Sequence, residues 1–290
     1  MSLVVSAVQT GGMGLDAASN ERRLLDLFAQ AGPAADLVVF PEMITGPYFP
    51  VAPYDESYLT LSERVPGRFT EVWGAAAREH DAAVLIGMFE DAGDDGRYNA
   101  VVHIDRGGAL VEGTLADGRT LPTYRKMAVA DVEIPAFTMD EQAYCGFGQG
   151  QARFPVDDLP LGTLICYDRA FSEVWAGLAS LDVEIVVAAV SSFGWREELF
   201  VDDLRLRAME FGVFVVAANR SGPEHVGGVD TTYFGRSCII APDGTVLAEA
   251  GSQTRDEIIT AEVDLSMVKP ARQAWVVEDR RPEMSAWRTS

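Results

Sequence analysis

The chain has 290 residues, 48% of them hydrophobic and 23% charged, and sets 23 Lys and Arg against 44 Asp and Glu for a net charge of −21 at pH 7. That is the composition of a globular protein with a full core. A surface so acidic repels nucleic acid and anionic membranes, so neither is expected as a partner.

No stretch approaches 18 apolar residues, and residues 1–6 lack both a basic n-region and a long apolar h-region. Neither a membrane span nor a signal peptide is therefore expected. Cys145, Cys166 and Cys238 form no C-x-x-C pair, which argues against a zinc or redox pair and fits a reducing cytoplasm. His80, His103 and His225 show no metal-ligand spacing, so no metal site is expected.

Short apolar runs alternate with helical stretches. Strands are expected over 3–8, 37–40 and 83–88, and helices over 18–31 and 69–80. Residues 98–105 and 110–112 flank Arg106-Gly107-Gly108 and read as a hairpin. A strand pair over 152–156 and 161–165 turns at Asp157-Asp158-Leu159-Pro160. A helix over 172–180, a strand over 185–190, a helix over 197–211 and a strand over 213–218 follow. Strands over 237–240 and 246–250 flank the turn Ala241-Pro242-Asp243-Gly244, and 257–263 is a last strand.

Hairpins interleaved with βα units predict an α/β protein with mixed sheets. No Pro, Gly or Ser-rich linker divides the chain, so residues 1–266 are expected to form a single domain. Residues 267–290, with Trp275, Trp287 and Arg280-Arg281-Pro282, are expected as a tail docked on the domain or on a partner subunit.

Three segments carry chemistry. In Leu164-Ile165-Cys166-Tyr167-Asp168 an apolar strand ends in a thiol just before a helical stretch. A helix N-terminus favours the thiolate, and the carboxyl end of a parallel strand faces the crevice of an open sheet. A buried core cysteine is the ordinary alternative. Glu42, in Val39-Phe40-Pro41-Glu42, follows a buried strand and is placed to move a proton, or else is a solvated strand-end charge. Lys126, in Tyr124-Arg125-Lys126-Met127-Ala128, precedes a small apolar run. It suits an ammonium drawn inward to stabilise a thiolate and an oxyanion, or a surface lysine with its stem over apolar groups. Tyr48, Phe193 and Trp195 each follow a strand-like run and are candidate pocket walls, with core or interface packing as the alternative.

Gly146-Phe147-Gly148-Gln149-Gly150 precedes a strand rather than a helix, so it is not expected to cradle phosphate. Cys238 reads as core, and loop-borne Cys145 is a rival thiol without a strand-to-turn setting.

Phe40-Pro41-Glu42, Tyr124-Arg125-Lys126 and Ile165-Cys166-Tyr167-Asp168 resemble, in order and spacing, the three signatures of the nitrilase superfamily of carbon–nitrogen hydrolases. Arg207-Ala208-Met209-Glu210-Phe211-Gly212-Val213, Ala218-Asn219-Arg220, Phe234-Gly235-Arg236-Ser237 and Pro242-Asp243-Gly244 extend the resemblance along the chain. It implies a four-layer αββα sandwich with two mixed β-sheets. It also implies a catalytic triad of Glu42, Lys126 and Cys166, with Lys126 and the Tyr167 N–H holding the oxyanion. Glu133 is the candidate for the family's second glutamate, or an ordinary loop carboxylate.

Arg169 stands at the offset where related N-carbamoyl-amino-acid hydrolases bind a substrate carboxylate; a salt bridge to Glu173 or a subunit contact is the alternative. The chemistry implied is hydrolysis of a small-molecule amide through a cysteine thioester, without metal or organic cofactor, in a homodimer or larger even homo-oligomer. N-carbamoyl hydrolase, nitrilase and a non-catalytic binding protein on the same fold are the alternatives. The chain departs from the family pattern at Ala128, at Met139-Asp140 beyond Phe137, and at Phe171-Ser172-Glu173, which bears on pocket shape and so on substrate.

Overall fold

The computed structural model describes residues 1–134, 137–253 and 255–274. The first half of the chain contributes β1 (Ser2–Gly11), α1 (Ala17–Ala31), β2 (Leu37–Val39), α2 (Arg68–His80), β3 (Ala83–Asp91) and β4 (Arg97–Ile104). Short strands follow: β5 (Gly113–Leu115), β6 (Thr120–Leu121), β7 (Tyr124–Arg125), β8 (Asp131–Ile134) and β9 (Phe137–Asp140). The second half contributes β10 (Ala152–Val156), β11 (Leu159–Ile165), α3 (Ser172–Ser180), β12 (Ile185–Val190), α4 (Glu197–Phe211) and β13 (Phe214–Val226). It ends with β14 (Val229–Phe234), β15 (Cys238–Ile240), β16 (Val246–Glu249), β17 (Glu257–Asp264) and α5 (Val268–Ala274).

The result is a mixed α/β fold. β1, β2 and β3 run parallel in one half, and β11, β12 and β13 in the other. Their continuous apolar character follows from burial on both faces. Alternation then divides the side chains. Leu37 and Val39 point into a central cluster with Phe154, Leu161 and Val187, while Val38 joins Phe28, Trp73 and Ile86 under α1 and α2. Ile185, Val187 and Ala189 likewise face the central cluster, and Val186, Ala188 and Val190 face Trp175, Leu204 and Phe211 of α3 and α4.

Two expectations change. The large sheets are not separate: β13 is long enough to leave β12 and pair with the end of β1 at Thr10↔Arg220 and Gly11↔Ser221. That link joins them into one 15-stranded mixed sheet, and the second sheet is the small β8–β9 hairpin. The expected hairpin across Arg106-Gly107-Gly108 shrinks to one bridge, Ile104↔Leu110, because the chain then crosses to pair β5 with β10. Trp275, Trp287 and Arg280-Arg281-Pro282 lie outside the described residues. Ahead of them, Arg272 of α5 bonds to Asp182 (2.8 Å) and the Gly212 carbonyl (3.3 Å).

Where the halves pack, the His103 ring of β4 stacks on Phe154 at 3.6 Å and its Nε2 meets Thr163 Oγ1 at 2.7 Å. Burial depresses its pKa from 6.5 to about 3. The unfolded chain therefore binds this proton between those values and the folded chain does not. His103 contributes stability that is fully present above the unfolded pKa and is lost as pH falls toward the folded one. The melting temperature should fall more steeply from about pH 7 to about pH 5 in the wild type than in His103→Gln; equal slopes would refute the assignment.

Candidate active site

The Glu42 turn is laid directly on β3. Phe40 N donates to the Leu85 carbonyl (2.9 Å) and Ile44 N to the Gly87 carbonyl (3.1 Å). A Cβ at position 87 would stand 2.3 Å from the Pro41 oxygen, so only glycine admits this approach. Lys126 follows β7, with its N–H on the Asn99 carbonyl (2.9 Å) and its own carbonyl accepting from Gly148 N (2.8 Å). A Cβ on Gly148 would lie 2.0 Å from the Arg125 oxygen. The glycine-rich loop thus serves as a close backbone brace for the lysine segment. Cys166 ends β11 at φ +45°, a left-handed conformation that costs a non-glycine residue about 1–3 kcal/mol. The turn at Cys166–Ala170 is a 3-10 helix.

These three segments converge. Lys126 Nζ donates to Glu42 Oε1 at 2.9 Å and to Glu141 Oε1 and Oε2 at 3.0 and 2.8 Å. Asn99 Nδ2 bridges the same carboxylates, at 2.7 Å from Glu42 Oε1 and 2.6 Å from Glu141 Oε1. Glu42, Glu141 and Lys126 are buried. Glu42 Oε2 has no hydrogen-bond partner among the described residues. Cys166 Sγ lies 3.8 Å from Ser192 Oγ. Lys126, Cys166 and Tyr167 line a cavity of about 250 Å³. All four expected wall residues, Tyr48, Arg169, Phe193 and Trp195, line it as well.

Burial, followed by the charge of Glu42, pushes the Cys166 thiol up to about 11, against the opposing pull of Lys126 and Arg169. The resting thiol is therefore protonated at neutral pH, and nucleophilic attack requires a base. Burial alone would depress the Lys126 ammonium, but Glu141 and Glu42 outweigh it and hold it well above the usual lysine range. Desolvation pushes the Tyr48 hydroxyl well up, with Glu141 and Glu42 adding to it, so the phenol stays neutral.

Two buried groups fix the geometry. Asp168 Oδ1 accepts from Met127 N (3.1 Å) and Ala128 N (2.7 Å), and its Oδ2 from Ile165 N (2.9 Å) and the Tyr124 hydroxyl (2.9 Å). It ties the cysteine turn to the lysine segment. Arg220, fully buried, donates from Nη2 to the carbonyls of Glu42 (3.2 Å), Met43 (2.7 Å) and Gly46 (2.9 Å) and from Nε to Ser191 Oγ (3.0 Å). Its Nη1 pairs with Glu224 at 2.7 Å, whose other oxygen accepts from Tyr48 N. Arg220 therefore clamps the Glu42 turn, where Met43 adopts φ +48°.

Glu133 is corrected. It is exposed on β8, opposite Thr138 in the hairpin, and Glu141, just past β9, contacts the lysine instead. The hairpin intervenes between Lys126 and its glutamate, so proximity in sequence pointed to the wrong carboxylate. Arg169 Nη1 donates to the Cys166 carbonyl (3.0 Å), and its Nε stands 3.9 Å from Asp203. Cys145 is buried in an aromatic cluster off the cavity lining, and Cys238 is core as expected. Asn99, Glu141 and the clamping role of Arg220 escaped the sequence reading; a polar residue inside an apolar strand was the one available signal for Asn99.

Glu42→Gln removes a negative charge that raises the thiol, so iodoacetamide alkylation of Cys166 should reach half its limiting rate at lower pH than the wild type's value of about 11. A midpoint that rises in the variant would contradict the electrostatics. Glu141→Gln should cost activity about a hundredfold, on the order of 3 kcal/mol for breaking a buried ion pair, while exposed Glu133→Gln changes it less than about twofold. Comparable losses in steady-state assays of both variants would undo the reassignment.

Residues 4–273 match the carbon-nitrogen hydrolase family. An N-carbamoylputrescine amidase of Solanum lycopersicum is 29% identical over 266 residues, spanning 86% of this chain and 82% of that protein. Among solved structures, a carbon-nitrogen hydrolase from Helicobacter pylori G27 superposes with a TM-score of 0.86 at 21% identity, covering 99% of this chain and 97% of that one. An amidase from Nesterenkonia sp. AN1, whose active-site cysteine carries the product of Michael addition of acrylamide, superposes with a TM-score of 0.77 at 21% identity over 98% of both chains. Family match and shared fold run over nearly the full length, and the chain belongs to the carbon-nitrogen hydrolases, enzymes that cleave carbon–nitrogen bonds other than peptide bonds.

Proposed function

We propose that the enzyme is a thiol amidohydrolase that converts a small carboxamide to carboxylate and ammonia through a thioester on Cys166. The observation that carries this reading is the buried Glu42 carboxylate, its Oε1 held by Lys126 and its Oε2 without a hydrogen bond, whose charge acts on the protonated Cys166 thiol.

Glu42 Oε2 takes the Sγ proton as sulfur attacks the amide carbon. The carbonyl electron pair moves onto oxygen, where Lys126 Nζ and the Tyr167 N–H stabilise it. Collapse of this adduct breaks the C–N bond, and Glu42 returns its proton to the departing nitrogen, giving ammonia. Glu42 then deprotonates a water, which attacks the thioester. The sulfur leaves and regains its proton. Glu141 keeps Lys126 charged and aimed throughout. The Nesterenkonia amidase, with its modified active-site cysteine, supports the thiol step by analogy. The small cavity supports a short substrate.

A second reading takes an N-carbamoyl group in place of the amide, favoured by the Solanum relative and by Arg169 in the cavity wall. Nitrile hydrolysis has no feature of its own in its favour. The central apolar cluster, flanked by one under α1 and α2 and another under α3 and α4, supports a four-layer αββα scaffold for residues 1–266. A cytoplasmic homodimer or larger even homo-oligomer is proposed with it, resting on analogy; among the described residues no helix is long and apolar enough to cross a membrane.

An ammonia-release screen over short aliphatic amides, nitriles and N-carbamoyl compounds tests the reaction. Amides should give ammonia and, under hydroxylamine trapping, the matching hydroxamate. Cys166→Ala should lose activity by more than about a thousandfold while keeping its melting temperature within a few degrees. Near-normal turnover by that folded variant would sink the thioester route.

A further inference from the structure

The wall of the cavity beyond Lys126 is cationic, in a chain whose net charge is −21. Arg169 and Arg196 both line it. Arg196 sits in the 3-10 turn Gly194–Arg196 that leads into α4. Its guanidinium lies over the rings of Tyr167 (5.6 Å) and Trp195 (5.4 Å). No carboxylate among the described residues stands within ion-pair distance of it.

Arg169 is nearly buried, its Nη1 is committed to the Cys166 carbonyl, and its buried Nε is without a hydrogen bond. The nearest acid is Asp203, 3.9 Å from Arg169 and equally 3.9 Å from Arg207. Arg207 is itself paired with Glu210 at 2.9 Å. Once that pair is set aside, Asp203 faces both cavity arginines, so two cations share one acid in this part of the wall, apart from the carboxylates held on Lys126. The aromatic rings beside Arg196 offset part of the cost of desolvating its charge, and an arriving anion would offset more.

We propose that Arg196 is a specificity-determining residue that, with Arg169, holds a carboxylate carried on the far end of the substrate. The substrate class is then short amido or ureido acids, such as monoamides of dicarboxylic acids, rather than neutral or cationic amides. This rests on the amidohydrolase reading for its turnover but not for its binding. The planar guanidinium suits a carboxylate better than an ammonium would, because it presents two parallel N–H donors. The 250 Å³ volume restricts the spacer between amide and acid to a few carbons. The wider space outside, which shares Phe193 and Trp195 with the cavity, is flanked by Asp140 and Asp230. Those acids line that outer space and not the cavity itself, and are partly answered, Asp140 by Ala143 N and Asp230 by His225.

The test compares succinamate, butyramide and 4-aminobutyramide on wild type, Arg196→Gln and Arg196→Lys. The first readout is kcat/KM for ammonia release; the second is protection of Cys166 from iodoacetamide, which needs no turnover. Wild type should favour succinamate over butyramide in both. Arg196→Gln should collapse that ratio by at least about tenfold, through KM rather than kcat, the effect of losing one charge-assisted hydrogen bond. Arg196→Lys should recover part of it. A ratio unmoved by Arg196→Gln, or a wild-type preference for 4-aminobutyramide, overturns the proposal. Protection by succinamate that depends on Arg196, without ammonia from any amide, would uphold the carboxylate site and reject the amidohydrolase reading.

Discussion

One ammonium, sealed from water between two carboxylates, sets the terms for everything around it. Lys126 is buried with Glu42 and Glu141, and Asn99 bridges the pair. Such a cluster is expensive to desolvate and tolerates no missing member. Burial first, and then the charge of Glu42, hold the Cys166 thiol in its neutral form. The cost of this unfavourable cluster is met by backbone: Arg220 and Asp168 use nearly every bond they have on the turns that carry the reacting side chains. The scaffold's apolar clusters lie on either side and exclude water.

Strain and close packing recur at the same places. Met43, next to Glu42, and Cys166 are both left-handed, and Gly87 and Gly148 let one backbone lie on another beneath Glu42 and Lys126. Each is a local choice that disfavours regular structure, and each is outweighed by the network it completes. This division, in which regular elements supply rigidity and irregular strand ends supply function, is what open α/β sheets permit at the carboxyl ends of their parallel strands.

How much of this was legible in the residues differs by element. Strands buried on both faces, such as 37–39 and 185–190, announce themselves as unbroken apolar runs. Glu42 and Cys166 were legible because each closes an apolar run, and Lys126 because it precedes one. β7, β8 and β9 were not, since two- and four-residue strands carry no period. That same hairpin displaced the second glutamate from Glu133 to Glu141. The joining of the sheets at β1 and β13 was also hidden: pairing across two hundred residues leaves no local trace. The roles of Arg220 and Asp168 could not be read from side-chain type, because both act on main-chain atoms of remote segments.

The seam at Thr10↔Arg220 and Gly11↔Ser221 has a mechanical consequence. It is the same stretch of β13 that carries the arginine gripping the Glu42 turn, so the weld between the halves and the alignment of Glu42 are one object. Displacing the strands at this seam would displace that grip with them. Catalytic competence in this protein is thus a reporter of its long-range cohesion, and an intact reaction centre certifies that the two halves remain in register.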